Sequence, residues 1–374
     1  MAIYKIFPTA DTTLYSGYVD ANTGLDEILE ASTNFKISNP QVDGANPQTS
    51  RFLLQFSQTE IQNLFADKIL DSTWKADLKC YTANVTGLTS TSTVNINALA
   101  ETWNMGTGKY LDLPETQNGA SWKYRNYQGG LQWTTSSFAA GTTGSFNLTT
   151  NSTSAGGGVW YTGSEAAYSF SYYSDPDIKV NITDIVTNWS SSTFNNYGLI
   201  VRQSASQEFI DNIHEQTTLK YFSRDTHTIF PPELEFKWDD FTYNTGSLTV
   251  LNTLPATLTL SNNPGTFYSG SVNRFRVNAR PTYPPKIYRT GSLYTTNYAL
   301  PTGSYYRVKD VYTNEVAIEY DSSYTKLSCD STGSYFDLYL NGLQPERYYK
   351  IEIKTTIGDT VLITDTEEFK ISNE

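Results

Sequence analysis

Arg51-Phe52-Leu53-Leu54-Gln55-Phe56 is the stretch whose reading decides the fold class of this chain. Phe52, Leu54 and Phe56 recur with the two-residue period of a β-strand and share one face, while Leu53 can fill a partly covered second face. Directly behind it, Ser57-Gln58-Thr59-Glu60 has capping-box spacing, and Ile61, Leu64 and Phe65 follow at helical intervals, which predicts one short helix. Working outward, Ala76, Leu78 and Cys80 alternate, as do Val94, Ile96 and Ala98. The turn Asn195-Asn196-Tyr197-Gly198 feeds a strand at Leu199-Ile200-Val201-Arg202. Glu233-Leu234-Glu235-Phe236-Lys237-Trp238 reads as a closing strand, entered through Pro231 and Pro232, which cannot donate ladder bonds. A second short helix is predicted over residues 180–189, where Ile182, Ile185, Val186 and Trp189 fall on one face and Thr183 or Asn181 can cap.

Two regions depart from this pattern. Residues 104–175 show little periodicity and are rich in Gly, Ser, Thr and aromatics, with Gly156-Gly157-Gly158 read as the loosest point. A loop of such length is expected to be functional or ordered by partners. From residue 247 onward the pattern is purely β: Leu248 and Val250, Leu258 and Leu260, and Phe275 and Val277 alternate. Turn signals stand at Asn263-Pro264-Gly265, Pro284-Pro285, Asn341-Gly342 and Ile357-Gly358-Asp359, the spacing of a sandwich. The expected organisation is all-β: a jelly-roll-like sandwich over 1–238 carrying the two short helices, a linker at 239–246, and a second sandwich over 247–374.

Composition bounds the function. The chain has 28 Tyr, 18 Phe and 7 Trp against 2 His, 2 Cys and 2 Met, which favours contact surfaces over proton relays, thiol chemistry or metal sites. A formal net charge of −12 without a Lys/Arg cluster argues against a nucleic-acid partner. No apolar run approaches membrane-spanning length, and the N-terminus lacks the apolar core of a signal peptide, so cytoplasmic synthesis without a membrane partner is expected. Cys80 and Cys329 lie far apart and read as two buried thiols.

An ordered series of elements resembles the DNRLRE-type, carbohydrate-binding-module-like β-sandwich modules. It runs from Asp11-Thr12-Thr13 and Asn22-Thr23-Gly24 through the Arg51 strand to Glu101-Thr102-Trp103, Gly106-Thr107-Gly108 and Gly119-Ala120-Ser121-Trp122. It continues with Val180-Asn181-Ile182 up to Trp189, Gly198-Leu199-Ile200-Val201, and Tyr221-Phe222-Ser223-Arg224-Asp225 before Pro231-Pro232. Asp225 stands where the resemblance implies a final acid, and the Gly-rich middle segment is longer than the family pattern. Further on, Leu343-Gln344-Pro345-Glu346-Arg347-Tyr348 resembles the tyrosine-corner approach of fibronectin III and immunoglobulin-like domains, implying that Tyr348 bonds back to the backbone. The pairing of two such modules is similar to structural proteins of marine tailed bacteriophages. That likeness implies a virion component of neck, tail or capsid surface, with other virion proteins and copies of itself as partners.

The candidate contact residues are Trp133 and Trp160 with Tyr124, Tyr127 and Tyr161, whose rings could stack on host surface glycan or a neighbouring subunit. Trp103, Trp122 and Trp189 are expected in the core. The acid pairs Asp112/Glu115 and Asp175/Asp177 read as solvated or capping groups, and no enzyme is expected. No cofactor is expected either: His214 and His227 lack metal-ligand spacing, and a calcium site from Asp11, Asp20 or Asp26 with Asn22 is the one metal reading the loops offer.

Overall fold

The computed structural model describes residues 2–36, 47–69, 73–88, 91–110, 112–145, 155–208, 217–284 and 296–373. The fold is all-β and sandwich-type, with two α-helices among the described residues. The chain divides into two compact units: an N-terminal unit of Ile6–Leu70 and Lys75–Glu235, and a C-terminal unit of Met1–Lys5, Asp71–Trp74 and Phe236–Glu374. The first residues of the chain thus group with the C-terminal unit. So does the stretch expected as a linker: the Tyr243 hydroxyl donates to the Leu300 carbonyl at 2.7 Å, and the Asn244 N–H to that of Cys329 at 3.0 Å.

The N-terminal unit is built on a nine-stranded antiparallel sheet. Its order is Thr142–Ser145, Gly156–Phe170, Ser92–Leu99, Leu199–Gln203, Pro47–Gln55, Ile28–Lys36, Thr218–Phe222 and Thr82–Thr86, with Ala10–Tyr15 also paired to Pro47–Gln55. In a second sheet Lys75–Cys80 lies antiparallel to Ile178–Asn181. Phe52, Leu53, Leu54 and Phe56 are all fully buried, because this central strand is covered on both faces. The helix Gln58–Asp67 starts as the capping box predicts, with the Ser57 hydroxyl accepting the Glu60 N–H at 3.2 Å and Ile61 and Leu64 buried. The helix Thr183–Ser190 buries Ile185, Val186 and Trp189. Neither expected cap works as a true N-cap side chain there: Asn181 Oδ1 accepts the Thr183 N–H at 3.3 Å, and the Thr183 hydroxyl takes the N–H of Ala76.

The expectation of one long irregular segment over 104–175 is corrected by the fifteen-residue strand Gly156–Phe170, which pairs with Ser92–Leu99. Gly156-Gly157-Gly158, read as the loosest point, is one of the tightest. All three glycines are buried at positive φ, and a Cβ on Gly157 (φ +72°) would stand 2.8 Å from the Trp122 ring. Glycine is there because an indole occupies the space a side chain would need.

The C-terminal unit is a sandwich of four strands on five. One sheet runs Ala256–Ser261, Val272–Pro281, Gly333–Tyr339, Ser328–Asp330; the other runs Thr266–Tyr268, Thr360–Ser372, Tyr348–Ile357, Tyr305–Asp310, Val316–Ile318. This is the strand order of immunoglobulin-type sandwiches. The predicted Leu248/Val250 strand is reduced to a single bridge between Val250 and Ala299. Between the sheets, Phe336 stacks on Tyr306 at 4.2 Å, and Phe275 and Phe369 complete an aromatic core. The corner tyrosine is Tyr349, one residue beyond the expected Tyr348: its hydroxyl accepts the Gln344 N–H at 2.9 Å and donates to the Gln344 carbonyl at 3.3 Å. Tyr348 points the other way and is 38% exposed, since successive residues of a strand face opposite sides. Cys80 and Cys329 are both free and buried, one in each unit.

Candidate contact surface

The aromatic residues expected as contacts are mostly scaffold. Trp133 is buried, its indole N–H donating to the Ser121 carbonyl at 2.9 Å. Trp160 is buried as well, so neither can stack on a ligand, contrary to the sequence expectation. Trp133 packs in an apolar cluster with Leu53, Trp122 and Ile200, and Trp160 is enclosed by two arginines. Arg51 is wholly removed from solvent; its Nε and Nη2 donate to the two carboxylate oxygens of Glu208 at 2.5 and 3.0 Å, and its Nη1 donates to the Gly157 carbonyl at 2.6 Å. Its guanidinium carbon lies 4.8 Å from the Trp122 ring centroid and 5.2 Å from that of Trp160. Arg202 lies 4.5 Å from Trp160 and pairs with Glu165 at 3.2 Å. The result is an indole–guanidinium–indole–guanidinium ladder through the core. Glu208 is the acid that balances the buried charge. Asp225, where the family likeness puts its acid, is half-buried beside Arg224. No strand period marks Glu208 in the sequence, so spacing alone could not pick it out.

Of the tryptophans expected in the core, Trp122 and Trp189 are buried, and half-buried Trp103 donates to the Tyr197 carbonyl at 2.9 Å. Tyr161 is stacked face to face on Phe194 at 4.0 Å, which leaves it little free ring. Tyr124 and Tyr127 form an edge-to-face pair at 4.7 Å and are half-buried.

The loop that suggested calcium is a hydrogen-bonded node. Asn22 Nδ2 donates to the Met105 and Ala120 carbonyls at 2.7 and 2.8 Å, and Oδ1 accepts the N–H of Gly108 and Gly24 at 2.8 and 3.2 Å. Gly106 (φ +75°) packs so closely on this carboxamide that a Cβ there would lie 2.3 Å from Oδ1. The Asn22-Thr23-Gly24 and Gly106-Thr107-Gly108 motifs therefore meet to lock a loop. Asp26 accepts the Tyr110 N–H, and Asp11 is buried with the Arg224 N–H donating to it at 2.7 Å. Burial pushes the Asp11 carboxyl up to about 7, the charges of Asp225 and Asp26 adding to the shift against that hydrogen bond. Among the described residues, Asp20 Oδ1 is buried without a hydrogen-bond partner, yet no group of three or more His, Cys, Asp or Glu gathers as metal ligands would. His227 is exposed beside Glu27, and His214 lies outside the described residues.

Of the acid pairs, Asp112, Asp175 and Asp177 accept backbone N–H groups and Glu115 is exposed. Asp112 accepts the Lys109 N–H and the Thr116 hydroxyl, and Asp177 the Thr82 N–H. Asp175 ion-pairs with Lys179 at 3.0 Å. Between the strands ending at Phe170 and starting at Ile178, the turn Ser171-Tyr172-Tyr173-Ser174 carries what sequence periodicity could not find. Tyr172 is 68% exposed and Tyr173 95%, their rings edge to face at 5.2 Å, on a turn closed by the Ser174 N–H bonding the Ser171 carbonyl at 3.0 Å. A fixed turn that displays two adjacent phenols offers a large contact area with little entropy left to lose. A smaller cleft of about 50 Å³ lies among Tyr15, Tyr18, Tyr110 and the 93%-exposed Leu113, room for a water molecule or two and too small to enclose a sugar ring. No helix among the described residues is long and apolar enough to cross a membrane. Compared with protein-family models and with curated proteins, the chain matches none.

Proposed function

We propose that this chain is a non-enzymatic structural protein of a bacteriophage particle, a neck, tail or capsid-surface component that works by contact with other subunits and with copies of itself. The observation that carries this reading is the division of labour among the aromatics of the N-terminal unit. Trp122, Trp133 and Trp160 stiffen the scaffold, and Tyr172 and Tyr173 are held out at the tip of a closed turn. Such a tip fits a hot-spot role in a subunit interface. In this reading the chain is made in the host cytoplasm and resides in the virion. Quantitative mass spectrometry of purified particles tests it: a fixed copy number that falls when Tyr172→Ser and Tyr173→Ser are combined supports assembly, and absence of the chain from particles refutes it.

A second reading, a carbohydrate-binding adhesin for host polysaccharide, is favoured by the acids and cation beside the same tip. Asp175 and Lys179 could bond sugar hydroxyls while a tyrosine face packs on the ring. A glycan array separates the two: binding that the double tyrosine variant abolishes supports the adhesin.

A further inference from the structure

The strand Thr360–Ser372 leaves part of one edge open. Tyr348–Ile357 covers one side along its length, whereas Thr266–Tyr268 covers the other only at Lys370, Ile371 and Ser372. The hairpin turn has two residues, Gly358 (φ +61°) and Asp359, so Ile357 and Thr360 form the first mutually hydrogen-bonded pair. The alternation continues unshifted to Asp365, and it turns the N–H and C=O of Val361, Ile363 and Asp365 away from the hairpin. Among the described residues, no strand pairs with them. A register shift follows between the Lys350 and Glu352 pairings and ends the regular edge.

Side chains on this edge are patterned too. Leu362 packs on the core, while Val361 and Ile363 are each 53% exposed on the opposite face. Asp365 follows on that face, 57% exposed and 3.3 Å from Lys350, and Glu367 and Glu368 are exposed beyond it. Natural edges are usually guarded by lysine, proline or a bulge. Here the bulge lies past the open stretch, and Thr360-Val361-Leu362-Ile363-Thr364 holds neither lysine nor proline.

We propose that residues 360–365 accept an extended segment of a different polypeptide as an added antiparallel strand. Its sequence would place lysine or arginine opposite Asp365 and towards Glu367, followed at alternate positions by two β-branched or aromatic residues opposite Ile363 and Val361. Charge chooses this occupant over a second copy. Pairing the edge with itself so that Val361 meets Ile363 brings Asp359 of each copy towards Asp365 of the other, and like charges opposed across strands are unfavourable. That the donor is another virion subunit rests on the assembly reading; the strand-acceptor edge does not.

The test uses the full chain and the acetylated, amidated peptide Lys-Ser-Lys-Thr-Val-Thr-Ile-Thr, with its counterpart carrying glutamate for both lysines as control. Saturable, salt-sensitive binding of the lysine peptide by titration calorimetry is expected, weakened about tenfold or more by Ile363→Lys or by the glutamate control. Ile363→Pro removes one outward N–H and no bond to the neighbouring strand, and is expected to abolish binding at an unchanged Tm. Equal binding of both peptides, binding retained by Ile363→Pro, or no binding overturns the proposal. So does a dimer in sedimentation equilibrium that Ile363→Lys dissolves, which would assign the edge to a second copy. Peptide binding by a chain absent from particles would refute the assembly reading alone.

Discussion

In the N-terminal unit the guanidinium of Arg51 lies wholly out of solvent between two tryptophans and against Glu208. In the C-terminal unit the arginines stay at the sheet surface, Arg274 directly opposite Asp337 and Arg307 opposite Glu352, over a core of Phe275, Phe336, Tyr306 and Phe369. Both units are sheet sandwiches, but one is keyed by a buried ion pair and the other by aromatic packing. A buried pair fixes geometry more than it adds stability, because desolvation offsets most of the attraction, while removing one partner strands the other charge. The N-terminal unit should therefore be the more brittle of the two.

The largest expected effect follows directly. Glu208→Ala leaves Arg51 buried and unpaired and should destabilise the N-terminal unit by about 3–5 kcal/mol in denaturant titration. Asp337→Ala, which frees the half-exposed Arg274, should change the C-terminal unit by less than about 1 kcal/mol. Equal effects would erase the contrast. Next, Gly157→Ala drives a Cβ towards the Trp122 ring from a left-handed backbone, and a loss of about 1–3 kcal/mol with altered tryptophan fluorescence is expected. In the C-terminal unit, Tyr349→Phe should lose about 1 kcal/mol through the corner hydrogen bond, whereas Tyr348→Phe should lose nothing measurable.

Apart from this series of substitutions, the units should diverge in pH dependence. Asp11 titrates at about 7 when folded against 3.8 for a free aspartate, so the folded state holds the extra proton. Its contribution is fully present below the unfolded value and is lost as pH rises through the folded one. Asp330 in the C-terminal unit is held well below the ordinary range, chiefly by the Arg276 guanidinium, so its contribution disappears as pH falls below the usual carboxylate range. Thermal unfolding followed from pH 7 downward should show the N-terminal unit gaining in mildly acidic buffer, a gain absent in Asp11→Asn, before the C-terminal unit weakens.

Local patterns carried the architecture well. The Phe52, Leu54 and Phe56 period, the Ser57–Glu60 cap and the Ile185, Val186 and Trp189 stripe each belong to a single strand or helix, and such local signals are written in neighbouring residues. What escaped depends on distant partners. Gly157 reads as slack until Trp122 is known to lie against it. Glu208 carries no local mark, because its partner Arg51 arrives from 157 positions away. Tyr348 and Tyr349 differ only in which face the register turns inward. Tyr172 and Tyr173 carry no mark in the sequence, because exposure, unlike burial, leaves no periodic trace.

The central claim is that Trp133 and Trp160 are scaffold while Tyr172 and Tyr173 make contact. A cryo-EM map of the native assembly at side-chain resolution tests it most directly. The account predicts the Tyr172–Tyr173 tip buried against a neighbouring subunit, with both tryptophans enclosed in their own unit. A tip left in solvent on every copy, or either tryptophan seated in an intersubunit interface, would contradict it.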